Sequence, residues 1–181
     1  MGLIFGAFLG YLSSAQQIFQ VTYGTGEMFA LWFASAALCF GVASVVNSRL
    51  VMRLGMRFMT WRALIGLVAC SNVFLIPTVL MNGVPPFWSF MAWLAPTFFF
   101  VSIVFGNLNA LAMEPVGHMA GLGAALIGCG ATIISLPLGW LVGASYQGGV
   151  TALIAGFAVM GGLSLLCMWL TEAKQSVASE G

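Results

Sequence analysis

Apolar residues occupy six long stretches of the chain, separated by short polar or glycine-rich connections. The stretches are Gly2–Phe19, Phe29–Val46, Ala63–Met81, Phe87–Met113, Ala120–Ala144 and Val150–Leu170. A helix needs about 20 mostly apolar residues to cross the hydrocarbon core of a bilayer. Connections such as NGVPP (Asn82–Pro86) and SYQGG (Ser145–Gly149) contain residues that end helices. The pattern predicts an all-α integral membrane protein with six transmembrane helices in residues 1–170 and a polar tail at 171–181.

The composition supports a lipid environment. Hydrophobic residues make up 61% of the 181 residues, charged residues make up 5%, and the mean hydropathy is +1.08. A typical soluble domain has about a quarter of its residues charged, so a soluble enzyme is excluded. No nucleophile–base pair or metal-ligand cluster is evident, and the four cysteines lack metal-site spacing. We therefore expect neither enzymatic activity nor a cofactor, and a net charge of +1 gives no reason to expect nucleic acid.

Four of the five basic residues lie in one short stretch, Asn47–Arg62. They are Arg49, Arg53, Arg57 and Arg62. Short connections that carry Lys or Arg stay on the cytoplasmic side of a membrane. Counting six crossings from this stretch places both termini and Lys174 in the cytoplasm, and leaves no Lys or Arg outside. We therefore expect the bacterial cytoplasmic membrane as the location, with the bilayer as the first partner.

Polar side chains recur on the first predicted helix at spacings of three and four. Tyr11, Ser14 and Gln17 belong to this group, together with Ser13, Gln16 and Gln20. Residues with this spacing lie near one face of a helix, and polar groups avoid hydrocarbon. The face either bonds neighbouring helices or lines a substrate cavity. The number of amides favours the cavity.

Two further groups leave alternatives open. Asn107, near the cytoplasmic end of the fourth helix, either bonds a neighbouring helix or contacts a ligand. Small residues open the fifth helix, at Gly117, Gly121, Ala125 and Gly128. Such spacing lets two helices approach closely. It suits either tight static packing or a surface on which two bundles slide.

Three stretches together resemble a known transporter family. They are YLSSAQQIFQVTYG (Tyr11–Gly24), NSRLVMRLGMRF (Asn47–Phe58) and GNLNALAMEPVGHMAG (Gly106–Gly121). They are similar to the major facilitator superfamily, and in particular to the second half of Bcr/CflA-type (bicyclomycin-resistance) drug:proton antiporters. The matching positions are Tyr11, Ser13, Ser14, Phe19, Gln20, Tyr23 and Gly24, then Asn47, Arg49, Leu50, Val51, Arg53, Gly55 and Arg57, then Asn107, Ala110, Leu111, Ala112, Pro115, Gly117, His118, Ala120 and Gly121.

This resemblance implies half of a twelve-helix fold, built from two inverted three-helix repeats. Tyr11, Ser14, Gln17 and Asn107 would then line a cavity shared with a second six-helix half, either a copy of this chain or a separate protein. The cytoplasmic gate would contain Asn47, Arg49, Arg53, Gly55 and Arg57. The cargo would be a small amphiphilic molecule.

Departures from the family keep a second hypothesis open. Gly106 replaces the family's usual proline, and Leu122, Gly123 and Ala124 replace a Thr-Ala-Ser run. No Asp or Glu falls at mid-membrane, where a proton-coupling carboxylate is expected. The alternative is a transport-inactive accessory subunit of a larger membrane complex.

Overall fold

The computed structural model describes residues 1–179, without the side chains of His118 and of residues 173–179. The described residues form six α-helices and no strand. The helices are α1 (Gly2–Gln17), α2 (Phe29–Leu54), α3 (Met56–Leu80), α4 (Phe87–Met113), α5 (Ala120–Ala144) and α6 (Thr151–Ser179). By length and composition, the five helices from α2 to α6 can each cross a membrane. The prediction of an all-helical, multi-pass membrane protein is confirmed at that level.

The first helix is shorter than the others. It has 16 residues and continues directly into a π-helical turn, Ile18–Thr22, in which the Tyr23 amide bonds the Ile18 carbonyl at 3.1 Å. A π-turn inserts one residue into the helical ladder and often marks a functional region. Here it follows directly on the polar face of α1.

The arginine-rich stretch Asn47–Arg62, called the basic hairpin below, is helical on both sides of one residue. The expected connection between Val46 and Ala63 is reduced to Gly55, with φ +82°, at which α2 ends and α3 begins. Similarly, α6 continues to Ser179, into the predicted polar tail. Apolarity marks only the part of a helix that lipid must cover, whereas backbone hydrogen bonds extend a helix through polar sequence equally well.

The main contacts between helices are the same for the first three helices and for the last three. The first helix packs mainly on α5, and α4 packs on α2. In addition, α3 packs on α4, α6 packs on α1, and α3 packs on α6. Replacing each of α1–α3 by its counterpart three helices later reproduces the same set of pairs. The first three helices and the last three therefore have equivalent neighbours.

The contact between α1 and α5 is made through glycines. A Cβ atom on Gly2, Gly6 or Gly10 would lie 2.6–2.9 Å from a side-chain Cβ of α5, and Gly139 meets Leu9 of α1 in the same way. Carbon atoms in contact prefer about 3.5–4.0 Å, so these positions admit only glycine. The spacing of four in α1 (GLIFGAFLG) is the small-xxx-small pattern of membrane helix pairs.

Aromatic rings fill the space between α1, α2 and α4. The ring centroid of Tyr11 lies 4.7 Å from that of Phe98 on α4 and 5.9 Å from that of Phe33 on α2, and Phe8 adds contacts to Phe40 and Phe98. Of the five candidate spans, α4 has the largest share of buried residues. Ring packing therefore joins α1 and α2 to the central α4.

Hydrogen bonds tie together the three connections at the end of the bundle opposite the basic hairpin. The Val150 amide donates to the Gly83 carbonyl at 2.8 Å, and Gly149 lies so close to Gly83 that a Cβ would meet its carbonyl oxygen at 2.6 Å. Tyr23 donates to the carbonyl of Pro85 at 3.0 Å, and burial raises the pKa of this phenol. The three connections at this end of the bundle are therefore held to one another.

Candidate functional site

The structure does not bring the four predicted cavity residues together. Tyr11 is 1% exposed, inside the aromatic packing of α1, α2 and α4. Its Oη has no hydrogen-bond partner among the described residues. A buried hydroxyl without a partner costs free energy, so Tyr11 is the member of the group whose hydrogen-bonding capacity remains unused.

The other two members on α1 differ from Tyr11 and from each other. Ser14 is buried, but its hydroxyl donates to the Gly10 carbonyl of the same helix at 2.7 Å. The side chain of Gln17 is exposed, next to Gln16, whose amide donates to the Gln20 amide oxygen at 3.3 Å. The glutamines thus face outward, away from the packed centre. A cavity role for Gln17 stays a prediction that needs a surface outside this chain.

Asn107 bonds a neighbouring helix, which was one of the two alternatives. Its side-chain amide donates to Asn47 Oδ1 at 2.8 Å, and the Asn47 amide donates back to Asn107 Oδ1 at 3.2 Å. Asn107 is 2% exposed. The two hydrogen bonds fix the start of the basic hairpin to α4. The reciprocal pair joins α2 to α4 and uses one N–H and one lone pair of each amide. A ligand contact for Asn107 stays a prediction.

A cavity of about 470 Å³ lies at the end of the bundle that carries the basic hairpin. Its walls come from the start of α1, the first half of α3, the ends of α4 and α6, and one residue of α5. The polar lining residues are Arg57, Glu114, Ser164, Thr171 and Glu172, and the apolar ones include Leu64, Leu108, Leu111, Ile134 and Met168. Ligand cavities typically measure about 300–1,000 Å³, so a small molecule fits.

Only some polar groups of this cavity are available to a ligand. The hydroxyls of Ser164 and Thr171 donate to carbonyls of their own helix at 2.8 Å. Both carboxylate oxygens of Glu172 accept the Trp61 indole N–H at 2.8 Å, which joins α3 to α6. Glu114 is exposed. The cavity is thus an amphipathic pocket with two carboxylates and one guanidinium.

The predicted gate residues belong to the basic hairpin and the adjoining contact with α4. The side chains of Arg49, Arg53 and Arg57 are exposed, and Gly55 adopts the left-handed backbone conformation that separates the two helices. Arg57 also lines the cavity. The sequence pattern places these residues together because they are adjacent in the chain, and the structure adds the attachment of Asn47 to α4.

The small residues predicted to pack at the start of α5 are not in close contact with the rest of the described bundle. A Cβ added to Gly117, Gly121 or Gly128 would find no atom of the described residues within 4 Å, and Ala125 is exposed. The glycines of α5 that other described residues approach closely are Gly123, against Val116, Gly139, against Leu9, and Gly143, against Ser13. Close packing at Gly117, Gly121, Ala125 and Gly128 therefore stays a prediction that needs a surface outside the described residues, because spacing alone does not reveal which face a neighbour covers.

The helix α2, which has the equivalent position among the first three helices, carries a similar face of small residues that no described residue covers. Its exposed small residues are Ala34, Ala37, Gly41, Ser44 and Ser48. Within their most apolar segments, only 11% of α2 residues and 22% of α5 residues are buried, the lowest shares of the five spans. Two helices in equivalent positions, α2 and α5, thus each present one face that no described residue covers.

No protein-family model, no curated protein and no solved structure matches this chain. The resemblance to major facilitator transporters therefore rests on the three motif stretches.

Two contacts of the site were not predicted. The pairing of Asn47 with Asn107 joins two residues of the separate resembling stretches, and each amide was noted without its partner. The bond between Trp61 and Glu172 spans 111 residues. No local pattern signals contacts at such separations. For Trp61, the one available signal was a donor-bearing ring at a predicted membrane edge.

Proposed function

We propose that this chain is one half of a major-facilitator-type efflux transporter for small amphiphilic molecules. It would lie in the bacterial cytoplasmic membrane with both termini inside, and would work only with a second six-helix half. We take α1 together with its π-helical turn as the sixth span. Their 16 and 5 residues extend about 31 Å, close to the roughly 30 Å of the hydrocarbon core.

The exchange pattern of helix pairs, with one face each of α2 and α5 uncovered by the described residues, is the observation that carries this proposal. Facilitator halves are built from inverted three-helix repeats. Because three is an odd number of crossings, each helix and its counterpart in the other repeat cross the membrane in opposite directions. Equivalent surroundings for α1 and α4, α2 and α5, and α3 and α6 agree with that architecture. The small residues on α2 and α5 suit close approach by helices of the second half.

The second half in this proposal is a copy of the same chain. In a two-fold arrangement, α2 of one copy would face α5 of the other. Ser44 lies about 22 Å from the start of α2, and Gly128 lies about 24 Å from the end of α5, at a rise of 1.5 Å per residue. Since the two helices run in opposite directions, these exposed positions are at similar depth.

Cysteine cross-linking in native membranes tests this arrangement. In a chain with its four native cysteines replaced by alanine, Ser44→Cys together with Gly128→Cys should yield a disulfide-linked dimer on mild oxidation. The matched control is Val73→Cys with Val159→Cys, since both side chains are more than half exposed but lie on α3 and α6. Equal cross-linking of both pairs, or none of either, would contradict the pairing.

Transport is tested separately in proteoliposomes. A panel of amphiphilic drugs should drive counterflow of protons or of labelled drug, and Gln17→Leu should reduce it because this exposed amide faces the proposed shared cavity. The control is Ser14→Ala, since that hydroxyl bonds only its own helix. Absence of drug-dependent flux in vesicles that contain the cross-linked dimer would count against a transporter.

The positions of the carboxylates favour the second candidate, a transport-inactive accessory subunit of a larger membrane complex. Glu27 is exposed in the turn that precedes α2, Glu114 follows α4, and Glu172 bonds Trp61 in the last turns of α6. Among the described residues, none of these groups is at mid-membrane for proton coupling. Purification in mild detergent discriminates the two. Fixed stoichiometry with unrelated membrane proteins would support the subunit, and a homodimer would support the half-transporter.

A further inference from the structure

The lengths of α2 and α3 place the basic hairpin in the headgroup layer of the membrane. With 26 and 25 residues, these helices extend about 39 Å and 37 Å, whereas the hydrocarbon core takes about 30 Å, or about 20 residues. Twenty residues from the start of α2 end at Ser48, and twenty counted back from the end of α3 end at Trp61. The intervening segment, Arg49 to Thr60, therefore protrudes into the headgroup layer.

The protruding segment exposes apolar and basic side chains together. Met52 is 86% exposed, Leu54 is 47% exposed and Phe58 is 46% exposed. Arg49 and Arg53 are exposed in the same segment, and the segment contains no acidic residue. Exposing large apolar side chains to this extent in bulk water is unfavourable, so such a patch indicates contact with a membrane or another protein. Interleaved basic and apolar residues are typical of segments that lie in a membrane interface.

The turn of the hairpin is open within the described part of the chain. Nothing lies within 4 Å of a Cβ placed on Gly55, and Arg62 covers the ring of Phe58 with its guanidinium 5.2 Å from the ring centroid. The equivalent connection of the second repeat, between α5 and α6, contains no charge and is tied to Gly83 by a hydrogen bond. The two repeats therefore differ in the surface that each connection offers.

We infer that the basic hairpin is a docking surface for anionic phospholipids. Arg49 and Arg53 bind the phosphate groups, since guanidinium matches phosphate oxygens with paired hydrogen bonds. Met52, Leu54 and Phe58 insert among the upper acyl segments, where long side chains bury their apolar parts and keep their charged ends in the polar layer. This contact goes beyond the proposed transport function and does not depend on it, because it needs neither a second half nor a substrate.

The depth of a spin label tests the insertion. In the cysteine-free chain, Met52→Cys carries a nitroxide, and collisions with oxygen and with a water-soluble nickel complex report its depth. In bilayers of phosphatidylcholine with phosphatidylglycerol, the label should lie deeper than in phosphatidylcholine alone. The control label at Gln147, on the uncharged connection, should not respond. A label at Met52 equally exposed to water in both bilayers would overturn the inference.

Lipid binding to the unlabelled protein tests the phosphate contact. Native mass spectrometry should show phosphatidylglycerol retained in preference to phosphatidylcholine. In Arg49→Gln/Arg53→Gln, phosphatidylglycerol should bind roughly 25-fold more weakly, about fivefold for each arginine near the surface. The Arg49→Lys/Arg53→Lys variant keeps the charge but loses the paired hydrogen bonds, so its loss of phosphatidylglycerol binding should be smaller than that of the Gln variant but measurable.

Two outcomes of this experiment overturn the proposal. One is undiminished phosphatidylglycerol binding in the Gln variant, which would place the lipid elsewhere on the protein. The other is competition by inorganic phosphate at the concentration of the lipid, which would indicate an ion site rather than a lipid surface. Added salt should weaken binding in the wild-type chain, since screening acts on exposed charges.

Discussion

Replacing Gly10 by alanine should destabilise the protein through a collision that cannot be relieved by a side-chain rotation. A Cβ at this position would lie 2.6 Å from both Cβ and Cγ1 of Val142. Contacting carbon atoms prefer about 3.5–4.0 Å, so the helices α1 and α5 must separate by roughly 1 Å. Overpacking of this kind costs about 1–3 kcal/mol of unfolding free energy.

A second effect acts in the opposite direction and has to be separated from the first. Alanine stabilises a helix interior relative to glycine by roughly 0.5–1 kcal/mol. Gly128→Ala measures that effect alone, because no atom of another described segment lies within 4 Å of its added Cβ. We expect Gly128→Ala to be neutral or stabilising in the monomer. The difference between the two variants then isolates the overpacking cost of about 1–3 kcal/mol.

The measurement is the free energy of unfolding in mild-detergent micelles titrated with a denaturing detergent, followed by helical circular dichroism. Combining Gly10→Ala with Val142→Gly moves the small residue to the other helix and should recover part of the loss. Equal unfolding free energies for Gly10→Ala and Gly128→Ala would refute the close contact between α1 and α5.

Three further predictions follow from other contacts. In a double-mutant cycle of Asn47→Ala and Asn107→Ala, the coupling energy should be about 1–2 kcal/mol for the two hydrogen bonds, and additive losses would contradict the pair. Gly149→Ala should lower the unfolding free energy by about 1–3 kcal/mol, because its Cβ would meet the backbone oxygen of Gly83; an unchanged value would show that the two connections are not in contact. Because burial raises the pKa of Tyr23, the folded protein keeps this proton after the unfolded chain has lost it, so stability should fall as the pH rises above about 10. Tyr23→Phe should show a smaller alkaline loss in pH-dependent unfolding, and an unchanged pH profile would exclude this contribution.

The positions of the helices could be predicted because their cause is local. A stretch of about 20 apolar residues must be covered by lipid, and α4 and α5 have the bounds given by that rule, Phe87–Met113 and Ala120–Ala144. The ends of α2, α3 and α6 were missed because the same rule says nothing about a helix after it leaves the hydrocarbon. Gly55 was the available signal for the boundary between α2 and α3, since its φ of +82° is one that only glycine commonly adopts.

The polar face of α1 was predicted as one group, and the structure divides it. The spacing of Tyr11, Ser14 and Gln17 places them near one side of the helix, but it does not fix where neighbouring helices end. The aromatic rings of α2 and α4 cover Tyr11, whereas the side chain of Gln17 is exposed beside the π-helical turn. Burial of a helix face depends on contacts between distant parts of the chain.

The sequence by itself determined a membrane-embedded helical chain, since hydrophobicity, charge and helix length act residue by residue. Only the tertiary structure decided which helices pair, because the glycines of α1 could have packed on any smooth surface and in fact pack on Leu138 and Val142. It also decided that Asn107 bonds Asn47, and that one row of small residues on α2 and the glycines Gly121 and Gly128 on α5 are not covered by other described residues. Each of these outcomes depends on two segments that meet only when the whole bundle has formed.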